Sequence, residues 1–446
     1  MMKQLICTAL ILGSLLAVSA CRSAGGAATN VATPCEIALA AHSGEAKIDQ
    51  EIAALQRDIR SNAKPQQTAA LVERLGWRYV EKARASFDPG FYKLAEQCAL
   101  CIESKQGEKS DENKALASAK SIRASSLLLR GHVLHSLHRF AEAEALAREL
   151  VETRGLAYDF GLLGDVLMEQ GKLDEAIVAY QKMMEQRPGP QAYSRAAHVR
   201  WLKGDLDGAR ALMQMSAQSS GGGGGGDAES AAWAWSRLAL FELQAGNVQR
   251  AHSICDLALE LQPDYAPALL SRGRIMLAEG KANEAIAPLQ KAAELNRLPE
   301  YQWTLADALR AAGRNDEAAA VESQLAASGA ANDPRTFALY LATRGNQPDT
   351  ALRLAEEELK LRRDIYTLDA LAWAQAASGK ADEAWKTMQS ALATETQDAR
   401  LFLHAAIIAS QAGEKSSAKS FAAKAAKIES MLLPGEKARL RELKNA

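Results

Sequence analysis

Apolar residues return at three- and four-residue intervals along most of the chain rather than alternately, a pattern that predicts helices and no sheet. Ile48, Ile52, Leu55 and Ile59 form the first such stripe, so residues 45–62 are expected to form an amphipathic helix covering one end of the core. Superimposed on the short period is a long one. Gly171, Gly204, Gly246, Gly280, Gly313, Gly345, Gly379 and Gly413 stand about 34 residues apart, with a single interval of about 42. That longer interval contains the hexaglycine Gly221 to Gly226, an insertion of about the excess length. Ala176, Ala209, Ala251, Ala285, Ala318, Ala384 and Ala418 form a second column five residues after their glycines, with Ala351 displaced by one. Glycine permits a tight turn after one helix, and alanine lets the next approach closely. Each helix pair is too small to bury its own apolar face, so stacking against neighbours has to create the core.

The best single copy, Leu163, Gly164, Leu167, Gly171, Ala176, Tyr180 and Pro188, closely resembles the tetratricopeptide motif in its spacings. Trp235, Leu238, Gly246, Ala251, Ala258 and Pro263 repeat much of it, as do Gly273, Gly280, Ala285 and Ala292. Gly131 with Ala143, and Leu75, Gly76 and Tyr79, mark two earlier pairs. The resemblance implies an all-α solenoid, a right-handed superhelix of about ten pairs over residues 45–430. A flexible glycine-rich loop is expected over 217–228 and a C-terminal capping segment over 431–446.

The first residues read differently. Lys3, the apolar run Leu5 to Val18 and the small residues after it form an export signal over 1–20, too short for a lasting bilayer span. Val18, Ser19, Ala20 and Cys21 resemble the lipobox of bacterial lipoproteins, which implies that Cys21 becomes the lipidated first residue. Arg22 in place of the Asp that resembles an inner-membrane retention signal implies the outer membrane, on its periplasmic side, in a Gram-negative cell. Residues 21–44, small and polar at their start, are expected to tether the folded body.

Composition narrows the function classes. Aromatics make up 5% of the residues and the formal net charge is −1, with both signs interspersed, so no basic footprint for nucleic acid exists. Export would place Cys35, Cys98, Cys101 and Cys255 in an oxidising compartment, where one bridge at most is expected. Cys98 and Cys101 form a single CxxC inside a predicted helix, which leaves a surface disulfide or two small core residues as readings and supports neither redox work nor zinc. His132, His135 and His138 are spaced so that only the first two lie side by side, with no carboxylate or Cys at ligand spacing, so no metal is expected. The hexaglycine follows no strand and precedes no Gly-Lys-Ser/Thr, and no catalytic pattern occurs. Neither an enzyme nor a cofactor or small-molecule substrate is expected.

The resemblance further implies that the first helix of each pair lines the concave face. Counted from the Leu-Gly slot, positions six and three before and one and four after share one helical stripe. Trp77, Trp201, Trp233, Trp303 and Trp373 fall on it, with Tyr158, Tyr366, His132, His135 and His198. Asp165, Arg274, Asp307 and Arg310 share it as charged candidates. Aromatic rings on a curved groove suit an extended peptide or an amphipathic helix, whereas the same rings could instead fill gaps between helices. The expected function is a lipid-anchored scaffold holding a protein or peptide segment in its groove. The alternative is a spacer or assembly factor working through its outer face or ends, and an enzyme with a cryptic site ranks last.

Overall fold

The computed structural model describes residues 32–62, 65–104, 114–221 and 228–445. The expected signal, the lipidation site Cys21 and most of the hexaglycine lie outside the described residues. Twenty-three α-helices and no strand occur among the described residues. Two N-terminal helices, α1 (Pro34–Ala38) and α2 (Lys47–Ser61), precede ten antiparallel pairs. The pairs are α3 (Pro65–Ser86) with α4 (Gly90–Ser104), α5 (Lys114–Ser136) with α6 (Phe140–Thr153), and α7 (Ala157–Glu169) with α8 (Leu173–Gln186). Next come α9 (Pro190–Leu202) with α10 (Leu206–Gly221), α11 (Ala228–Gln244) with α12 (Val248–Leu261), and α13 (Ala266–Ala278) with α14 (Ala282–Leu295). The series ends with α15 (Pro299–Ala311) and α16 (Asn315–Asn332), α17 (Pro334–Arg344) and α18 (Pro348–Leu361), α19 (Ile365–Ala377) and α20 (Ala381–Ala391), and α21 (Ala399–Gln411) and α22 (Lys415–Lys427). A last helix, α23 (Pro434–Asn445), follows.

The glycine column makes the turns. Gly171 has φ 73°, and its seven successors lie between 70° and 82°, a region closed to most L-residues. The Gly171 and Lys172 amides donate to the Met168 and Leu167 carbonyls at 3.0 and 2.9 Å, closing the end of α7 as a Schellman turn. His138 occupies the same place after α5 with φ 58°, and Arg139 repeats the bond to the Leu134 carbonyl at 2.8 Å. This histidine is therefore a turn residue rather than groove lining. The alanine column is buried throughout, as close helix approach requires. Asp333, Asp364 and Asp398 cap α17, α19 and α21 by accepting from backbone amides of the first turn.

Three boundaries differ from the sequence expectation. The tether cannot extend to residue 44, because α1 is part of the body: Cys35 is bridged to Cys101, Ala38 is buried, and Tyr79 and Gln56 donate to the Ala38 and Ala40 carbonyls at 3.0 and 2.8 Å. The glycine-rich loop begins later than 217, because Ala217 and Ser220 face inward and keep α10 helical through Gly221. The third concerns the C-terminus. Instead of merely covering the last pair, residues 429–445 turn back across the inner face of the superhelix. Ser430 donates to the Leu243 carbonyl at 3.1 Å, and Arg274 donates to the Met431 carbonyl at 3.1 Å. Leu433 and Leu440 are buried, Glu436 pairs with Arg400 at 2.5 Å, and Arg439 donates to the Thr343 carbonyl.

The winding also closes. Arg363, between α18 and α19, donates its amide to the Glu169 carbonyl at the end of α7 at 2.9 Å. Thr396 donates to the Leu202 carbonyl at 2.9 Å, and Gln244 donates to the Gln397 carbonyl at 2.5 Å. Connections late in the chain thus seal against the ends of α7, α9 and α11, and the first helices of the pairs surround a lumen instead of an open trough.

Candidate functional site

The lumen contains a cavity of about 840 Å3. Seven of the residues singled out from sequence line it: His135, Asp165, His198, Trp201, Trp233, Arg274 and Tyr366. They come from α5, α7, α9, α11, α13 and α19, so the stripe does converge across the axis. Trp201 stacks between His198 and Tyr366, with centroids 6.0 and 6.4 Å away, and its indole donates to Gln244 at 2.9 Å. Trp233 remains 40% exposed.

The wall is dense in paired charge. Asp165 accepts from Arg195 at 2.7 Å and from Tyr180 at 2.9 Å; burial pushes its carboxyl up, but Arg195 outweighs burial and holds it below the usual range. Arg274 donates to Glu300 at 3.0 Å and Arg335 to Asp364 at 3.1 Å. Burial, reinforced by Asp364, raises Glu169, and burial raises Asp398. Desolvation, with the positive charge of Arg237 nearby, lowers His198 to about 4, so it is neutral near pH 7.

The other seven candidates lie elsewhere. Trp303 is enclosed beneath Arg400, 4.8 Å from its ring, and edge-on to Tyr340 at 5.7 Å. Trp373 is buried against His404 at 4.2 Å, donates to Thr343 at 3.0 Å and lies under Arg439 of the returning C-terminus. Asp307, raised by burial, accepts from Arg344 at 2.8 Å, while Arg310 pairs with Glu322. Trp77 packs 5.4 Å from His132, whose burial lowers it to about 4. Tyr158 is 39% exposed beneath Arg187. Of the two readings open for the tryptophans, Trp303 and Trp373 follow the filling of gaps between helices, Trp201 lines the cavity from within an aromatic stack, and Trp233 keeps an exposed face in it.

The sequence reading missed Arg195, Arg237, Arg335, Arg400, Asp369 and Asp398. Arg335, Asp369 and Arg400 fall on the same stripe by the same count and could have been found by extending it. Arg195 and Arg237 stand two residues before the slot, one residue off the stripe, and reach the lumen through the length of the arginine stem. The CxxC is divided: Cys98 is a buried thiol pushed far up by desolvation, and Cys101 carries the bridge to Cys35. Among the described residues, no cluster of His, Cys, Asp or Glu is placed to hold a metal ion, and no helix is long and apolar enough to cross a membrane.

Stacked antiparallel helix pairs with glycine turns and buried alanines define an all-α solenoid, the architecture of a protein-interaction scaffold. Residues 160–189 match the tetratricopeptide repeat family model, and they coincide with the best copy of the motif. No curated protein matches the chain in sequence. Among solved structures, a chain of the crystal structure of the APC/C hetero-tetramer Cut9-Hcn1 is similar at 14% identity, covering 90% of this chain and 96% of that one. The two superimpose with a TM-score of 0.32.

Proposed function

We propose that this protein is an exported bacterial scaffold, lipid-anchored through Cys21 at the periplasmic side of the outer membrane, whose lumen holds a segment of a protein partner. The observation that carries the reading is the seating of residues 429–445 on the inner wall. There Arg274 already receives a main-chain carbonyl, and buried leucines of the segment fill spaces between helices. The wall is therefore suited to a polypeptide, and the cavity beside it has room for more chain. The lipobox and the Cys35–Cys101 bridge both support export to an oxidising compartment.

Photo-crosslinking in living cells tests the partner. A crosslinking residue at Trp233 or Tyr366 is expected to trap a discrete protein, whereas one at Val178, 63% exposed, is not. Adducts formed only from Val178 would move the function to the outer face, a second reading favoured by the burial of Trp303 and Trp373. Cys21→Ser is expected to shift the protein from the membrane to the soluble fraction, and retention at the membrane would remove the anchor from the proposal.

A further inference from the structure

We infer that the luminal cavity binds a small planar organic anion, an aromatic carboxylate, clasped by Arg237 and laid against Trp233 and the partly exposed Tyr366. Five guanidinium groups line the cavity. Four are neutralised within the protein: Arg195 by Asp165, Arg274 by Glu300, Arg335 by Asp364 and Arg400 by Glu436. Among the described residues Arg237 has no carboxylate partner and no hydrogen bond; its guanidinium carbon lies over the Phe241 ring, 5.7 Å from the centroid. A planar fork of donors without an acceptor, set in a cavity wall, matches a carboxylate bidentately.

The surroundings select the body of the ligand. Trp233 is 40% exposed and Tyr366, backed by the parallel Trp201 ring, is 36% exposed, so a flat ring system finds aromatic surface on the same wall as the charge. The Tyr366 hydroxyl has no partner among the described residues and supplies a second donor. The neighbouring carboxylates are already engaged: Asp398 accepts from the Leu401 amide at 2.9 Å, Asp369 pairs with His404 at 2.9 Å, and Glu169 lies 3.7 Å from Arg362. At about 840 Å3 the cavity falls within the range usual for small-molecule sites, about 300–1,000 Å3.

The inference rests on the lumen being a binding face but on neither a protein partner nor a lipid anchor. Calorimetric titration of the folded chain with 2-naphthoate, 2-naphthamide and 2-naphthylmethylammonium tests it. The expected result is saturable binding of 2-naphthoate at one site, with the amide at least tenfold weaker and the ammonium weaker still. Arg237→Gln should weaken 2-naphthoate by about tenfold, and Tyr366→Phe, which keeps the ring, by about threefold. Circular dichroism and the thermal midpoint report whether each variant stays folded. If Arg237→Gln does not, Arg237→Lys, which keeps the charge without the planar fork, should still bind several-fold more weakly. Equal binding of the amide, preference for the ammonium, indifference to substitution at Arg237, or no binding would each overturn the inference. A partner trapped at Trp233 would survive that failure, and naphthoate binding would survive the absence of any trapped partner.

Discussion

At the scale of single residues, two kinds of glycine turn can be told apart. A Cβ at Gly280 would meet nothing within 4 Å, whereas one at Gly171 would lie 2.5 Å from the Arg363 carbonyl oxygen across the closed winding. Both positions have positive φ, so alanine at either should cost about 1 kcal/mol in backbone strain. Gly171→Ala should cost measurably more, because backbone rather than a flexible side chain obstructs it. Denaturant midpoints of the two variants check this, and equal losses would contradict the closure at that site. His198 allows a second prediction. Its folded pKa is lowered to about 4 against about 6.5 in an unfolded chain, so between those values the unfolded state binds more proton. Stability from this group is complete above pH 6.5 and is lost as pH falls toward 4. Wild type should therefore lose more stability than His198→Gln between pH 6.5 and 4.5, measured as the difference between their urea midpoints.

At the scale of elements, the two ends of the chain are fastened by different means. The Cys35–Cys101 bridge spans 66 residues, a loop for which the chain-entropy model gives about 4 kcal/mol. Cys35→Ser, or reduction of the native protein, should loosen α1 to α4 by an amount approaching that figure. The loss should be seen as faster amide exchange in α1 and α4, with α13 to α20 unchanged. At the other end, Glu436 is buried against Arg400, which overcomes the upward push of burial on its carboxyl. Glu436→Gln leaves a guanidinium in the lumen without its counter-charge and should destabilise by about 3 kcal/mol. The thermal midpoint reports it, and a change below 0.5 kcal/mol would mean that α23 is only loosely seated. The helices themselves were legible from period alone, because Gly171 and its successors demand positive φ and Ala176 and its successors demand contact. The bridge was not. Cys98 and Cys101 attract notice as neighbours, yet three residues of helix turn one into the core and the other toward α1, whose advance signals are only Pro34 at a helix start and the Thr33–Glu36 capping pair.

At the scale of the whole molecule, closure separates this solenoid from an open trough. The Arg363 amide is hydrogen-bonded to a carbonyl nearly two hundred residues earlier, so it should exchange at least a hundredfold more slowly than an exposed connecting loop. Hydrogen exchange resolves that amide, and free exchange would mean that the winding opens in solution. This closure was not readable from sequence, because each of its bonds ends on a backbone carbonyl, which leaves no trace in residue type. The lumen was half legible for a related reason. A helical stripe tells which side chains point to the axis, as for Trp201 and Tyr366, but not which of them another part of the same chain will cover, as for Trp303 and Trp373.

The return of residues 429–445 to the inner wall also imposes an order on assembly. A ribosome delivers the pairs one after another, and each can stack on its predecessor as soon as it appears. Part of the wall of the central chamber, at Met431, is supplied by residues that follow all ten pairs. Any product cut short after Lys427 would carry all ten pairs and every tryptophan yet enclose no finished chamber. Residues 429–445 thus separate a lined chamber from a merely well-stacked series of pairs.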